Sequence, residues 1–303
     1  MSAELETDVL KGVSRSFYLS LRLLPKPMRT AASVGYLLAR TSDTIADSAV
    51  LNRCLRMAYL ESLLGQVNGE IECTDWPVEL LAGIPDPKEK LLLENHPQVM
   101  GLLGGLAHGE MELVRELTRV IIGGQKLDLE RFGAEVSSTV SLSDGIELED
   151  YTWRVAGCVG VFWTKLGFQT MGKGFAGCEP EKLLWKAERY GKGLQLVNIL
   201  RDLPKDLKMG RCYLPVADPG NKEALMKEFS LWREVACEWV GEGFAYAKEL
   251  RPKRLRMASV LPAMIANETL DMLKGITFDE LSCGIRVSRS KVYRMIIAAL
   301  VRA

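Results

Sequence analysis

Apolar positions recur along most of this chain at intervals of three and four, the period of a helix that buries one face. Val34, Leu37, Leu38, Ile45 and Val50 sit among small residues, and the stretches 100–122 and 183–200 carry the same spacing. Alternating strand patterns between hairpin signals are scarce. Punctuation falls at Pro25-Lys26-Pro27, at Asp75-Trp76-Pro77, across residues 83–87, at Gly123-Gly124, across residues 172–177 and at Asp218-Pro219-Gly220. The pattern predicts an all-α protein of about ten helices of ordinary length. No long Pro/Gly/Ser linker and no fixed-period repeat divides the chain, so one domain over residues 1–303 is expected and a solenoid is not.

Composition narrows the chemistry. The 303 residues are 48% hydrophobic and 26% charged, enough for a sizeable core. The 39 basic residues balance 39 acidic ones, which argues against nucleic acid as a partner. Seven scattered cysteines contain no CxxC pair, which disfavours zinc and reads as reduced thiols in a cytosol. The two histidines, His96 and His108, lack the spacing of a helical metal pair and leave few bases for a Ser-His-Asp hydrolase. Met1 is followed by Ser-Ala-Glu-Leu-Glu rather than a leader, and no apolar run approaches the roughly 20 residues of a spanning helix. A cytoplasmic location is the expectation.

The most informative local pattern occurs twice. Asp43 and Asp47, and again Asp202 and Asp206, stand four residues apart, so on a helix each pair shares a face. Two like charges on one face are unfavourable unless a cation bridges them. Mg²⁺ suits that position, because it takes hard oxygen ligands and tolerates one or two carboxylates together with substrate phosphate. A lone DxxxD is more often a solvated face. Here the first pair lies in an apolar, small-residue stretch (31–49) and the second follows the apolar turn 194–200, company in which carboxylates are rarely idle. Arg40, Arg201, Lys205 and Arg211 lie beside the pairs as candidate diphosphate contacts, with the Arg fork best suited to that task. Pro204 falls inside the second pair and is expected to kink or end its helix, leaving the reach of Asp206 in question.

These residues, taken in order, resemble the squalene/phytoene synthase family. The resemblance begins with Ser14-Arg15-Ser16-Phe17-Tyr18 and continues through the run Tyr36 to Arg40 into Asp43 and Asp47. Tyr151 to Gly160 resembles the family's central tyrosine motif, and Gln195, Asn198, Arg201, Asp202 and Asp206 its second aspartate motif. Gly210 to Pro215 resembles the loop that follows. The likeness covers most of the chain and thins after Ala263. It implies an isoprenoid synthase fold around a deep central cavity, with prenyl diphosphates as substrates. Both aspartate motifs would bind Mg²⁺ and diphosphate from opposite walls. Ser14, Arg15, Ser16, Phe17, Tyr36, Arg40, Gln195 and Asn198 match positions that line the site. Tyr151 would stand near the departing diphosphate and carbocation and assist proton transfer. Read without the family, Tyr151 is an ordinary half-buried phenol. Val155, Ala156, Gly157 and Gly160 are small enough either for close helix packing or to leave room for a prenyl chain.

Many squalene synthases carry an acid just before the last Asp of each motif, where this chain has Ala46 and Lys205, so Lys205 is a candidate phosphate ligand. Thr44 after the first Asp resembles the squalene-type motif. That implies two farnesyl diphosphates joined head to head and then reduced to squalene by NADPH. The alternatives within the family stop at phytoene, dehydrosqualene or presqualene diphosphate. No GxGxxG is present, so a nicotinamide would bind in a family-specific manner. The tail Arg286, Arg289, Lys291 and Arg294 offers cations to its phosphates, or else to solvent or anionic lipid. Prenyl chains this apolar, with no spanning run, suggest reversible contact with a bilayer. A helical adaptor that binds another protein is the reading from a different class, and predicts no Mg²⁺-dependent diphosphate affinity. Head-to-tail chain elongation is disfavoured by the absence of DDxxD.

Overall fold

The computed structural model describes residues 9–14, 17–48, 50–132 and 139–302. They fall into two compact units, residues 1–133 with 165–172, and residues 134–164 with 173–303. Both units are helical, as the periodicity requires.

In the first unit the helices are α1 (Lys11–Ser14), α2 (Phe17–Leu23), α3 (Lys26–Ala46), α4 (Arg53–Asn68), α5 (Val78–Ala82), α6 (Pro87–Glu94), α7 (His96–Gly104) and α8 (His108–Phe132). The α3 helix starts behind Pro25 with Pro27 in its first turn, where a missing N–H costs nothing. Val34, Leu37, Leu38 and Ile45 are fully buried, and Ala31, Ala32, Ser33 and Gly35 keep the same helix thin enough to be surrounded. The α8 helix buries Val114, Leu117, Thr118, Ile121, Ile122, Gln125 and Leu129, an i, i+3, i+4, i+7 row that lies against α3 and α4. Gly123-Gly124, which the pattern reads as a break, lies inside α8. The cost of glycine there, about 1 kcal/mol each, is small against the apolar face that the helix buries.

The second unit holds strand β1 (Val140–Ser141), α9 (Gly145–Thr152), a π turn at Trp153–Gly157, the start of α10 (Cys158–Met171), α11 (Pro180–Lys208), strand β2 (Arg211–Cys212), α12 (Lys222–Glu249), α13 (Lys253–Met272), α14 (Phe278–Ser282) and α15 (Arg289–Arg302). The two short strands pair in parallel, Val140 with Arg211 and Ser141 with Cys212. Side-chain caps set several starts. Asp144 accepts from the Glu147 amide at 2.9 Å, Asn221 caps α12, and Thr277 with Glu280 forms a capping box on α14. The α11 helix packs against α12 and the π turn, α12 against α13, and α13 against α15.

Pro204 does not end the helix. The α11 helix runs through it to Lys208, with Leu203 and Pro204 both buried. The expected stop gives way to tertiary packing, which holds the turn although Pro204 cannot donate to the preceding turn.

The small residues around Tyr151 are explained by helix contact. A Cβ at Gly160 would lie 2.2 Å from the Ala187 carbonyl oxygen, and one at Gly191 would lie 2.4 Å from that of Ala156. Backbone thus meets backbone where α10 and the π turn cross α11, and at Gly160 close packing is the role the residue fills. Gly160→Ala and Gly191→Ala should each lower stability by about 3 kcal/mol. Gly241→Ala, in α12 with nothing within 4 Å of the new methyl, should instead raise it by up to about 1 kcal/mol. Denaturation midpoints of the three variants test the contrast. A Gly160 or Gly191 variant as stable as the natural chain would refute the packing account.

Candidate active site

The first carboxylate pair sits at the C-terminal end of α3. Asp43 lies in the last turn and Asp47 is the C-cap, its amide donating to the Asp43 carbonyl at 2.8 Å. The helix therefore stops at Ala46, short of the 31–49 stretch. Two acids meet the negative end of the helix dipole, an arrangement that favours a cation. Asp43 is half-buried and Asp47 exposed. Burial pushes the Asp43 carboxyl up to about 7, with the Asp47 charge adding to the rise; Arg40, Gln125 and Glu89 contribute less, the first two in the opposite direction.

Gln125 of α8 donates from Nε2 to Asp43 Oδ1 at 2.6 Å, while its own Oε1 is buried without a hydrogen bond. Sequence reading passes over Gln125. Its only signal is a buried amide at a position where the α8 pattern asks for an apolar side chain. Arg40 is ion-paired with Glu89 of α6, and its Nε is buried without a hydrogen bond. Tyr36 donates its hydroxyl to the Val13 carbonyl at 3.1 Å, which ties α3 to α1. Arg15 and Ser16 lie outside the described residues, as do the side chains of Ser14 and Phe17.

The second pair, Asp202 and Asp206, stands one turn apart on unbroken α11. Arg201 grips Asp202 with both arms, Nε to Oδ1 at 2.8 Å and Nη2 to Oδ2 at 2.5 Å. The Arg201 guanidinium is held above its usual range, first by that hydrogen bond and then, against a desolvation cost, by the charges of Asp202 and Asp206. Asn198 is exposed and donates to Gln195 Oε1 at 3.4 Å. Lys205 is exposed, while Arg211 is half-buried in β2.

Tyr151 lies in the last turn of α9 and is 8% exposed. Its ring stacks on Tyr213, with centroids 4.6 Å apart and planes 20° apart. The π turn follows within two residues, a feature that recurs at functional sites. Lys192 of α11 fixes α9 by donating to Glu149 at 3.0 Å, with its ammonium 4.6 Å above the Trp239 ring.

Among the described residues no group of three His, Cys, Asp or Glu side chains converges on a metal position. The donors fit Mg²⁺ shared with a diphosphate, two carboxylates at a time, rather than a metal caged by protein alone. The polar atoms of Gln125 and Arg40 that lack hydrogen bonds add to that fit. The basic tail fits a nicotinamide diphosphate poorly. Lys291 is ion-paired with Glu268, and Arg289 and Arg294 are five residues apart on one helix, so their side chains diverge. A cleft of about 430 Å³ among α12, α13 and α15, lined in part by Phe244, Val260, Met264 and Met295, contains none of the predicted site residues.

The squalene/phytoene synthase family model matches residues 10–293. The chain belongs to that family. A presqualene diphosphate synthase of Rhodopseudomonas palustris is 31% identical over 67% of this chain and 59% of its own length. A bifunctional lycopene cyclase/phytoene synthase of Leptosphaeria maculans is 28% identical over 68% of this chain and 33% of its own. The match thus spans a third to three fifths of these relatives. TcSQS in a ligand complex superposes with a TM-score of 0.79 at 20% identity, covering 98% of this chain and 85% of its own, which establishes a shared fold. The squalene/phytoene synthase fold is all-α, as the sequence implied. Its members' products differ, and the relatives named here divide on that point.

Proposed function

We propose that this squalene/phytoene synthase family member is a Mg²⁺-dependent prenyltransferase that joins two farnesyl diphosphates head to head through presqualene diphosphate and then reduces that intermediate to squalene with NADPH. The observation that carries the reading is the Asp43 site. Two acids at a helix C-terminus, one of them pushed up to about 7, form a place that gains when a divalent cation arrives. Bound Mg²⁺ would neutralise the charge that develops on a departing diphosphate.

The chain's own residues do the rest. Asp43, Asp47, Asp202 and Asp206 supply metal ligands, and Gln125 orients the Asp43 carboxylate. Arg40, Arg201, Lys205 and Arg211 offer cations to the diphosphates. To reach a diphosphate, Arg40 and Arg201 would have to turn from Glu89 and Asp202, their present partners. Tyr151 presents an apolar ring with one hydroxyl, suited to lie against a cation while moving a proton to the leaving group. The reductive step rests on Thr44 in the first motif, and NADPH has no residues assigned to it. Reversible contact with a bilayer belongs to the same reading, because the prenyl chain of the substrate and the squalene product are both apolar. No helix among the described residues is long and apolar enough to cross a membrane.

A second reading stops at presqualene diphosphate, and it is favoured by the Rhodopseudomonas palustris relative. Incubation with farnesyl diphosphate and Mg²⁺, with and without NADPH, separates the two. Squalene only when NADPH is present is the expected result. The same unreduced product in both would overturn the squalene assignment, and no Mg²⁺-dependent consumption of substrate would overturn the enzyme reading altogether.

A further inference from the structure

The last helix carries a feature that the condensation chemistry does not use. On α15, Met295 and Ala299 are buried, at 9% and 3% exposure, and face the body of the second unit. On the opposite side Tyr293, Ile297 and Leu300 stand 67%, 61% and 57% exposed. Their i, i+4, i+7 spacing makes one continuous apolar stripe. Exposed Arg289 and Arg294 flank it, and Arg286 precedes the helix. Residues 284–303 hold Arg286, Arg289, Lys291, Arg294 and Arg302 with no acidic residue, in a chain whose 39 basic and 39 acidic residues balance overall. A soluble helix in this position would put polar groups where the stripe lies.

We propose that α15 is an interfacial helix that lays Tyr293, Ile297 and Leu300 into an anionic lipid surface. The occupant follows from charge complementarity. A stripe of large apolar side chains between divergent arginines matches a flat, negatively charged layer with an apolar interior, whereas a compact anion would need those cations to converge. The inference rests on the peripheral-contact reading and adds to it the element, the face and the lipid charge.

Flotation of the full chain with vesicles tests it. The natural chain should float with phosphatidylcholine vesicles containing about 30 mol% phosphatidylglycerol, bind pure phosphatidylcholine at least about tenfold more weakly, and leave the anionic vesicles in about 1 M salt. The double variant Ile297→Asp, Leu300→Asp should bind the anionic vesicles at least about tenfold more weakly, since both hydrophobic anchors are lost and two repelling charges gained. Its helical circular dichroism and its turnover of detergent-dispersed substrate should be unchanged, because both positions are exposed. Arg289→Gln with Arg294→Gln should flatten the preference for anionic over neutral vesicles. If the natural chain ignores both vesicle types, the docking helix and the peripheral-contact reading fall together. If it floats but the Ile297/Leu300 variant floats equally well, only the assignment to α15 is overturned. If the stripe instead pairs copies of the chain, the natural chain will sediment as a dimer that the variant dissociates, with no flotation of either, and the lipid assignment is wrong.

Discussion

Asp43→Asn is expected to lower turnover on the order of a thousandfold at saturating Mg²⁺, because it removes a charged metal ligand while keeping side-chain shape. The fold should survive. Asparagine offers the same oxygen to Gln125, whose amide lies 2.6 Å from Asp43 Oδ1. A second readout separates this loss from misfolding. The Asp43 carboxyl is raised from 3.8 to about 7 in the folded chain, chiefly by burial. A raised acid binds its proton more tightly when folded, so its ionisation costs stability. That cost is absent below about pH 4, grows as pH rises through the interval, and is complete above about pH 7. With the group half-buried, the cost is on the order of 2–4 kcal/mol at most. The metal-free variant should therefore match the natural chain near pH 4 and exceed it at pH 8. Adding Mg²⁺ with inorganic diphosphate at pH 8 should raise the Tm of the natural chain and leave that of the variant nearly unmoved. An Asp43→Asn chain that keeps more than about a tenth of its turnover, or that loses stability at pH 8, would refute the metal assignment.

How much of this was legible beforehand varies from element to element for physical reasons. The α8 core row, from Val114 to Leu129, is read directly because its apolar period is that of the helix. The two aspartate pairs are equally plain, since i and i+4 acids are neighbours on any helix. What escapes is whatever depends on a second segment. Gln125 lies 82 residues from Asp43, and nothing local marks it as that carboxyl's partner. Glu89, 49 residues from Arg40, takes up a cation that the motif alone offers to phosphate. Tyr213 falls in the loop that follows the second motif, yet its stacking on Tyr151 becomes visible only in three dimensions. The misread breaks have one origin. Gly123-Gly124 and Pro204 are local arguments against a helix, each worth about 1–3 kcal/mol, and tertiary burial of the surrounding face outweighs them. The small residues near Tyr151 were ambiguous because a stripe of glycine has the same sequence whether a helix or a ligand fills the space beside it. At Gly160 and Gly191 the carbonyl oxygens opposite decide in favour of the helix.

The continuity of α11 changes what the second pair should do. Had Pro204 ended the helix, Asp206→Asn would be the mild variant and Asp202→Asn the severe one. On an unbroken helix the two carboxylates project from one face a single turn apart. Arg201 feels the charges of both. Asp202→Asn and Asp206→Asn should then each reduce turnover by about a hundredfold or more, and agree with one another within about tenfold. Asp202→Asn carries one further effect, since it loosens the two-armed grip of Arg201. That guanidinium is then freer to meet a diphosphate, which should partly preserve ground-state binding and show as a smaller rise in KM than Asp206→Asn produces. Carboxylates that hold one metal act together, so the double variant should be little worse than the poorer single one. Calorimetric titration of inorganic diphosphate with and without Mg²⁺ supplies a measure independent of turnover, and both single variants should lose the Mg²⁺-dependent part of the affinity. Near-normal turnover and diphosphate binding in Asp206→Asn, beside an inactive Asp202→Asn, would mean that the turn around Pro204 directs Asp206 away from the metal, leaving Asp202 as the only ligand from this helix.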